Sequence, residues 1–168
     1  NKAYQHVRLM EYFNELPIIQ IVVDYVEADD IIAVLNGHPK YRDWHKYIIS
    51  SDRDFFQLVG DRTSLYRPIQ KKLVTQDHLL DEYGIHPNNF ALARAVAGDK
   101  SDNLEGVPRV GLGTIKSRFS FMAGEDIQSV ETLAEYCGKV DKQLGCHRKI
   151  LEHLDVIKKN YEIMQLYE

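Results

Sequence analysis

Two short apolar runs, Ile18–Val23 (IIQIVV) and Tyr47–Ser50 (YIIS), constrain this chain more than any other feature. Both lack the polar–apolar alternation of a strand that is wet on one side. They read as strands buried on both faces, as in a parallel sheet. Such strands need helices around them, and helical patterns are in place. Ala3, Val7, Met10 and Phe13, with Leu9 and Leu16 alongside, predict an amphipathic helix over 2–16 that Pro17 stops. A second helix is expected from Ala28 to Leu35, ending at Gly37, and a helical turn at Phe55–Val59. Thr63–Tyr66 and Leu73–Val74 read as the two sides of a hairpin, with Arg67, Pro68, Lys71 and Lys72 near the bend. Helices are expected at Gln76–Tyr83 and Pro87–Ala97, and Ile150, Leu151, Leu154, Ile157 and Tyr161 give the last helix one apolar face. The β-α-β-α start predicts an α/β class, with an α/β core over residues 1–75 and a helical region over 76–168.

The 168 residues, 44% of them apolar and 27% charged, suffice for one core and exclude a disordered chain. No apolar run approaches the roughly 20 residues of a membrane span, and no signal-peptide pattern is seen; a membrane is not an expected partner. Cys137 and Cys146 form no disulfide framework and are expected as thiols. Tyr41, Trp44 and His45 are expected in the core rather than as an exposed aromatic patch.

Acidic residues gather in three places. Glu27, Asp29 and Asp30 (VEADD) follow the first apolar run; Asp52 and Asp54 (SSDRD) follow the second; Asp99 and Asp102 (GDKSDN) follow an apolar helix. The first two have plain structural explanations. The first suits a helix start, where carboxylates cap N–H groups and meet the positive end of the dipole. The second suits an Asp-capped turn. The third is harder to explain, because a helix C-terminus disfavours a carboxylate by roughly 0.3–1 kcal/mol. Ligand sites in open α/β sheets lie beyond the carboxyl ends of strands, where the second cluster falls. A phosphatase-type D-x-D is disfavoured by Phe56, where such motifs carry Thr or Val.

If the seven converged, two like charges about 6 Å apart would repel by about 3 kcal/mol at an effective dielectric near 20. Seven could coexist ionised only with cations. Removing their charge turns the formal −4 of the chain into +3, so the remainder is mildly basic. All-carboxylate ligation suits two Mg²⁺ or Mn²⁺ ions rather than zinc, and no zinc spacing of His and Cys occurs. A two-metal carboxylate site suits in-line displacement at phosphate.

Residues 104–114 (LEGVPRVGLGT) carry Gly106, Gly111 and Gly113. A P-loop needs Lys where Leu112 stands and a preceding strand, so that reading fails. A hairpin between short helices fits better. Its glycines would let backbone N–H groups approach a phosphate, with Thr114 at a helix start behind them. Arg109, Lys116 and Arg118 would track a nucleic-acid backbone without reading sequence. A plain helix-connecting turn is the rival explanation.

The order EADD, SxDxD, GDxxDN, GVPxVGxGT resembles the 5′ nuclease (flap endonuclease) superfamily, and is similar above all to the tailed-phage ribonuclease H-type and polymerase-linked 5′–3′ exonucleases. The likeness runs from Val7 to Phe119 and more loosely to Tyr161. It implies a PIN-like core with a parallel sheet and a helical lobe bearing a helix–three-turn–helix DNA-binding motif. It implies metal ligation by Glu27, Asp29, Asp30, Asp52 and Asp54 mainly at one ion and by Asp99 and Asp102 at the other, the first five being counted as catalytic. Gly106, Arg109, Gly111, Gly113, Thr114 and Lys116 would meet DNA, in many members through a K⁺ ion. The usual lysine of that hairpin is absent, with Lys116 as its nearest substitute.

The implied activity is hydrolysis of phosphodiesters near 5′ ends or flaps of DNA, or of RNA–DNA primers, in replication. The implied compartment is cytoplasmic, that of the host for a phage-borne gene. The family's leading acidic strand and basic helical arch are not in this sequence. The chain is therefore expected to be a piece of a larger nuclease, weakly active or inactive alone, with the missing segment or replication proteins as partners. A non-catalytic DNA-binding fragment is the second reading; a PIN-type ribonuclease on single-stranded RNA is the third.

Overall fold

A computed structural model of the protein describes residues 1–166. In order it comprises α1 (Lys2–Asn14), α2 (Ala28–Gly37), β1 (Lys46–Ile49), a 3₁₀ turn at Asp54–Leu58, β2 (Thr63–Arg67), β3 (Lys72–Val74), α3 (Gln76–Tyr83), α4 (Phe90–Ala97), α5 (Leu112–Arg118), α6 (Val130–Lys139), α7 (Gly145–Glu152) and α8 (Leu154–Met164). The sheet is mixed. β1 runs parallel to β2, with Ile48 beside Leu65, and β2 runs antiparallel to β3, with Leu65 beside Val74. Those three side chains face one continuous core that extends from Ala33 to Met164.

Local chemistry explains most element ends. Thr75 accepts the His78 N–H at the start of α3, and Gly84, at φ 63°, closes it in the left-handed conformation that glycine adopts without strain. Ser129 and Thr132 form a reciprocal capping box on α6. The expected helix at Pro87–Ala97 is a 3₁₀ turn at Pro87–Asn89 followed by α4. The last helical pattern is two helices, α7 and α8, that break at His153. Asn160 on α8 is buried and donates through Nδ2 to the carbonyls of Ala95 (3.0 Å) and Glu105 (2.8 Å), tying α8 to α4 and to the loop beyond it. Cys137 and Cys146 are free, and burial pushes the Cys137 thiol up to about 11. No helix among the described residues is long and apolar enough to cross a membrane.

Three expectations need correction. Ile18–Val23 is not a strand; it is irregular and exposed, and Gln20 donates to Met10 O (3.2 Å) and Asn14 Oδ1 (2.7 Å), folding the segment back along α1. α1 itself buries no residue. A strand takes its hydrogen bonds from a neighbour, and the outer edge of β1 does not take this one. Nor is β1 covered on both faces: Ile48 is buried, while Tyr47 and Ile49 point to the open side. The parallel sheet reduces to one parallel pair with an antiparallel flank. Trp44 is exposed, its ring edge-on to Tyr41. It borders an apolar groove of about 340 Å³ whose wall includes Ile19, Ile21, Ile32 and Leu35.

Candidate metal centre and nucleic-acid interface

β1 delivers the second acidic cluster. Directly after it, Ser50 Oγ accepts the Asp52 N–H (3.1 Å) and Asp52 Oδ1 accepts the Asp54 N–H (2.9 Å), which opens the 3₁₀ turn. Asp52 thus caps its own turn, and Asp54 is directed inward. α4 delivers the third cluster. Gly98, at φ 77°, ends the helix, and Asp99 and Leu104 then exchange two backbone hydrogen bonds (2.8 and 2.7 Å) that close a tight hairpin. Asp99 Oδ1 accepts the Ser101 N–H at 2.8 Å.

The two clusters meet at Arg94, a buried cation on α4. Its Nη2 atom lies 2.8 Å from Asp54 Oδ1 and also pairs with Asp99 Oδ2. The three side chains are 10%, 17% and 14% exposed. Removing one partner from such a buried set costs about 3–5 kcal/mol, because the other charge is left uncompensated. Ser51, Asp52, Arg53, Arg94, Asp99 and Ser101 line a cavity of about 350 Å³ here.

One arginine leaves its two acids with opposite shifts. Burial pushes the Asp54 carboxyl up from 3.8 to about 6; Arg94 opposes this, while Asp52, Asp102 and Asp99 add to it. Burial also acts to raise Asp99, but the bonds from Ser101 and the charge of Arg94 outweigh it and hold that carboxyl below its ordinary value. Asp102, which is exposed, is near enough to act on Asp54 through space.

The first cluster lies at the start of α2. Glu27 occupies the N-cap position of α2 without a side-chain cap bond, and Asp29 accepts the Asp30 N–H at 3.0 Å within its own turn. Among the described residues no hydrogen bond or ion pair joins Glu27, Asp29 or Asp30 to Asp52, Asp54, Asp99 or Asp102. Nor do any three His, Cys, Asp or Glu residues among them converge closely enough to chelate one ion. Arg94 links the second and third clusters, and no such shared cation joins the first to them among the described residues. The first rides on a segment whose preceding run, Ile18–Val23, is unpaired.

Divalent ions nevertheless fit this donor set. All its ligands are hard oxygens, which suit Mg²⁺ or Mn²⁺. The Asp54 carboxyl is raised chiefly by burial, and the charges of Asp52, Asp102 and Asp99 add to it. A single nitrogen of Arg94 stands between the Asp54 and Asp99 oxygens, where a cation shared by both would sit.

The glycine segment divides as well. Gly106 packs against the end of α4: a Cβ there would lie 2.2 Å from Ala97 C and O, and one on Gly98 would lie 2.3 Å from Gly106 N. Val107 N–H donates to Val96 O at 2.8 Å. Gly106 therefore serves close backbone packing. Lys116 has a structural partner too. Its ammonium donates to the carbonyls of Asp81 (2.6 Å) and Glu82 (2.9 Å), satisfying the C-terminal end of α3. Gly111 and Gly113, with open space where a Cβ would stand, Arg109 at φ 65° and exposed, and Thr114 in the first turn of α5 remain an outward-facing group. Lys149 donates to Pro108 O (3.0 Å) and props this loop from α7.

Sequence reasoning missed Arg94, Lys149 and Asn160. The signal for Arg94 was available: a lone charge at the centre of FALARAVA, a helix apolar all round, must meet an acid inside.

The fold is an α/β sheet flanked by helices, with carboxylates at the carboxyl end of a strand and beyond a buried helix. Comparison with known proteins narrows this. Residues 3–84 match the family described as 5′-3′ exonuclease, N-terminal resolvase-like domain. The chain is 29% identical over 158 residues to the thermostable DNA polymerase I of Thermus aquaticus, covering 94% of this chain and 18% of that protein. It is 32% identical over 115 residues to a 5′-3′ exonuclease of Buchnera aphidicola subsp. Schizaphis graminum, covering 68% of this chain and 40% of that one. It thus spans well under half of these relatives. Its fold superposes on T5 5′-exonuclease solved with bound zinc, with a TM-score of 0.78 at 15% identity, over 96% of this chain and 58% of the other. A T5 D15 flap endonuclease complex with DNA and metal ions matches at a TM-score of 0.75. The chain is similar to 5′ nucleases in sequence and carries a PIN-like, resolvase-type fold.

Proposed function

We propose that this chain is the metal-binding and DNA-binding part of a 5′ nuclease that hydrolyses phosphodiesters near 5′ ends or flaps of DNA, or of RNA–DNA primers, during replication. The observation that carries this reading is the cavity lined by Asp52 from the end of β1 and Asp99 from beyond α4, with Arg94 in its wall pairing both Asp99 and Asp54. Two-ion carboxylate chemistry would supply a nucleophilic water near neutral pH and neutralise charge building on the phosphate. Asp52, Asp54, Asp99 and Asp102 would hold the ions, with Glu27, Asp29 and Asp30 joining once their segment lies alongside. Asp54 would give up the proton that burial favours. Arg109 and the first N–H groups of α5 would hold backbone phosphate without reading bases.

A flap duplex with Mg²⁺ tests the reading: cleavage supports it. Asp102→Asn should abolish cleavage while leaving DNA affinity equal or higher, since it removes a ligand and a charge near phosphate; unchanged cleavage would remove Asp102 from the site. That no three candidate ligands converge among the described residues favours a second reading, a DNA-binding fragment without turnover. Salt-sensitive binding without products would select it.

A further inference from the structure

Arg94 does something that the proposed reaction does not require and the packing alone does not explain. The side chain is charged, 8% exposed, and embedded in an otherwise apolar helix. A structural arginine locks a carboxylate with two parallel hydrogen bonds. Here one nitrogen, Nη2, serves Asp54 and Asp99 together, and the buried Nε has no partner. A buried Ser51 Oγ at the same cavity is likewise unpartnered. The guanidinium is thus held by the two acids and by little else polar.

We propose that Arg94 is a resident counter-ion: it holds the Asp54 and Asp99 carboxylates together without metal, and a divalent cation must displace its Nη2 to bind them. Arg94 is then a positioning residue that sets the metal concentration at which the site fills. This rests on the nuclease reading, because it takes Asp54 and Asp99 as metal ligands.

The test is Mn²⁺ binding by calorimetry and Mn²⁺-dependent thermal melting of the full chain, on wild type, Arg94→Gln and Arg94→Lys. Without metal, Arg94→Gln should melt lower than wild type. With Mn²⁺ its gain in melting temperature should exceed that of wild type, and its affinity should be roughly tenfold tighter, the scale of one unit charge removed from a hydrated acidic pocket. Arg94→Lys, which keeps the charge, should bind Mn²⁺ nearly as wild type does. Equal or weaker Mn²⁺ binding by Arg94→Gln overturns the counter-ion role. Failure of that variant to fold even in millimolar Mn²⁺ overturns it too, since the ion should replace the lost charge. If wild type itself binds no Mn²⁺, the metal-site reading falls instead.

Discussion

Ile18–Val23 and the core of α4, Phe90–Val96, are both strongly apolar, yet they end in opposite surroundings. Ile19 and Val22 are 85% and 77% exposed, while Leu92 and Val96 are fully buried. α4 gains its burial from α8, α5 and the Asp54–Leu58 turn, which close around it on every side. Ile18–Val23 lies near the unpaired edge of β1 and the open apolar face of Tyr47 and Ile49, but no strand ladder forms there. The contrast teaches that an apolar run establishes a capacity for burial; neighbours decide whether it is used. It also separates the acidic clusters. The two whose flanking elements are packed, after β1 and after α4, share a cavity, and the one that follows the exposed run does not.

The comparison can be broken by mutation. Leu92→Ala should cost about 2–5 kcal/mol in chemical denaturation, as a large-to-small change inside a packed core. Asn160→Ala should cost about 1–3 kcal/mol, because the carbonyls of Ala95 and Glu105 lose their shared donor. A smaller effect separates the acidic residues. Burial raises the Asp54 carboxyl from 3.8 to about 6 in the folded protein, so its favourable contribution is complete below 3.8 and is lost as pH rises through about 6. Metal-free wild type should therefore lose stability relative to Asp54→Asn across that window in pH-resolved melting curves. His86 and His147, both held below their ordinary value by burial, slope the other way and cancel in the difference. Val22→Ser should change stability by no more than about 0.5 kcal/mol. A cost for Val22→Ser approaching that of Leu92→Ala would show Ile18–Val23 buried in solution and would bring the first acidic cluster back toward the others.

Much of the architecture was legible because its causes are local. α3 falls on Gln76–Tyr83 as read, since Thr75 and Gly84 mark its ends within a few residues. The β2–β3 hairpin and the Asp54–Leu58 turn follow for the same reason. The placement of Asp52 and Asp54 at the carboxyl end of a strand was legible too. What failed depended on a distant partner. The strand at Ile18–Val23 needed an edge that would accept it. Structural roles of Gly106 and Lys116 were also hidden: Gly106 is required by the backbone of Ala97 and Gly98, and Lys116 bonds the end of α3.

Taken alone, the order of residues determined the capped helices, the short strands, the carboxylate-rich loops and the surplus charge those loops would carry if gathered. These are properties of the chain within one or two turns, where sterics and hydrogen bonding act between near neighbours. Only the tertiary structure decided which loops meet. It joined Asp54 to Asp99 through a buried arginine, because charges interact according to distance through the fold and the burial around them.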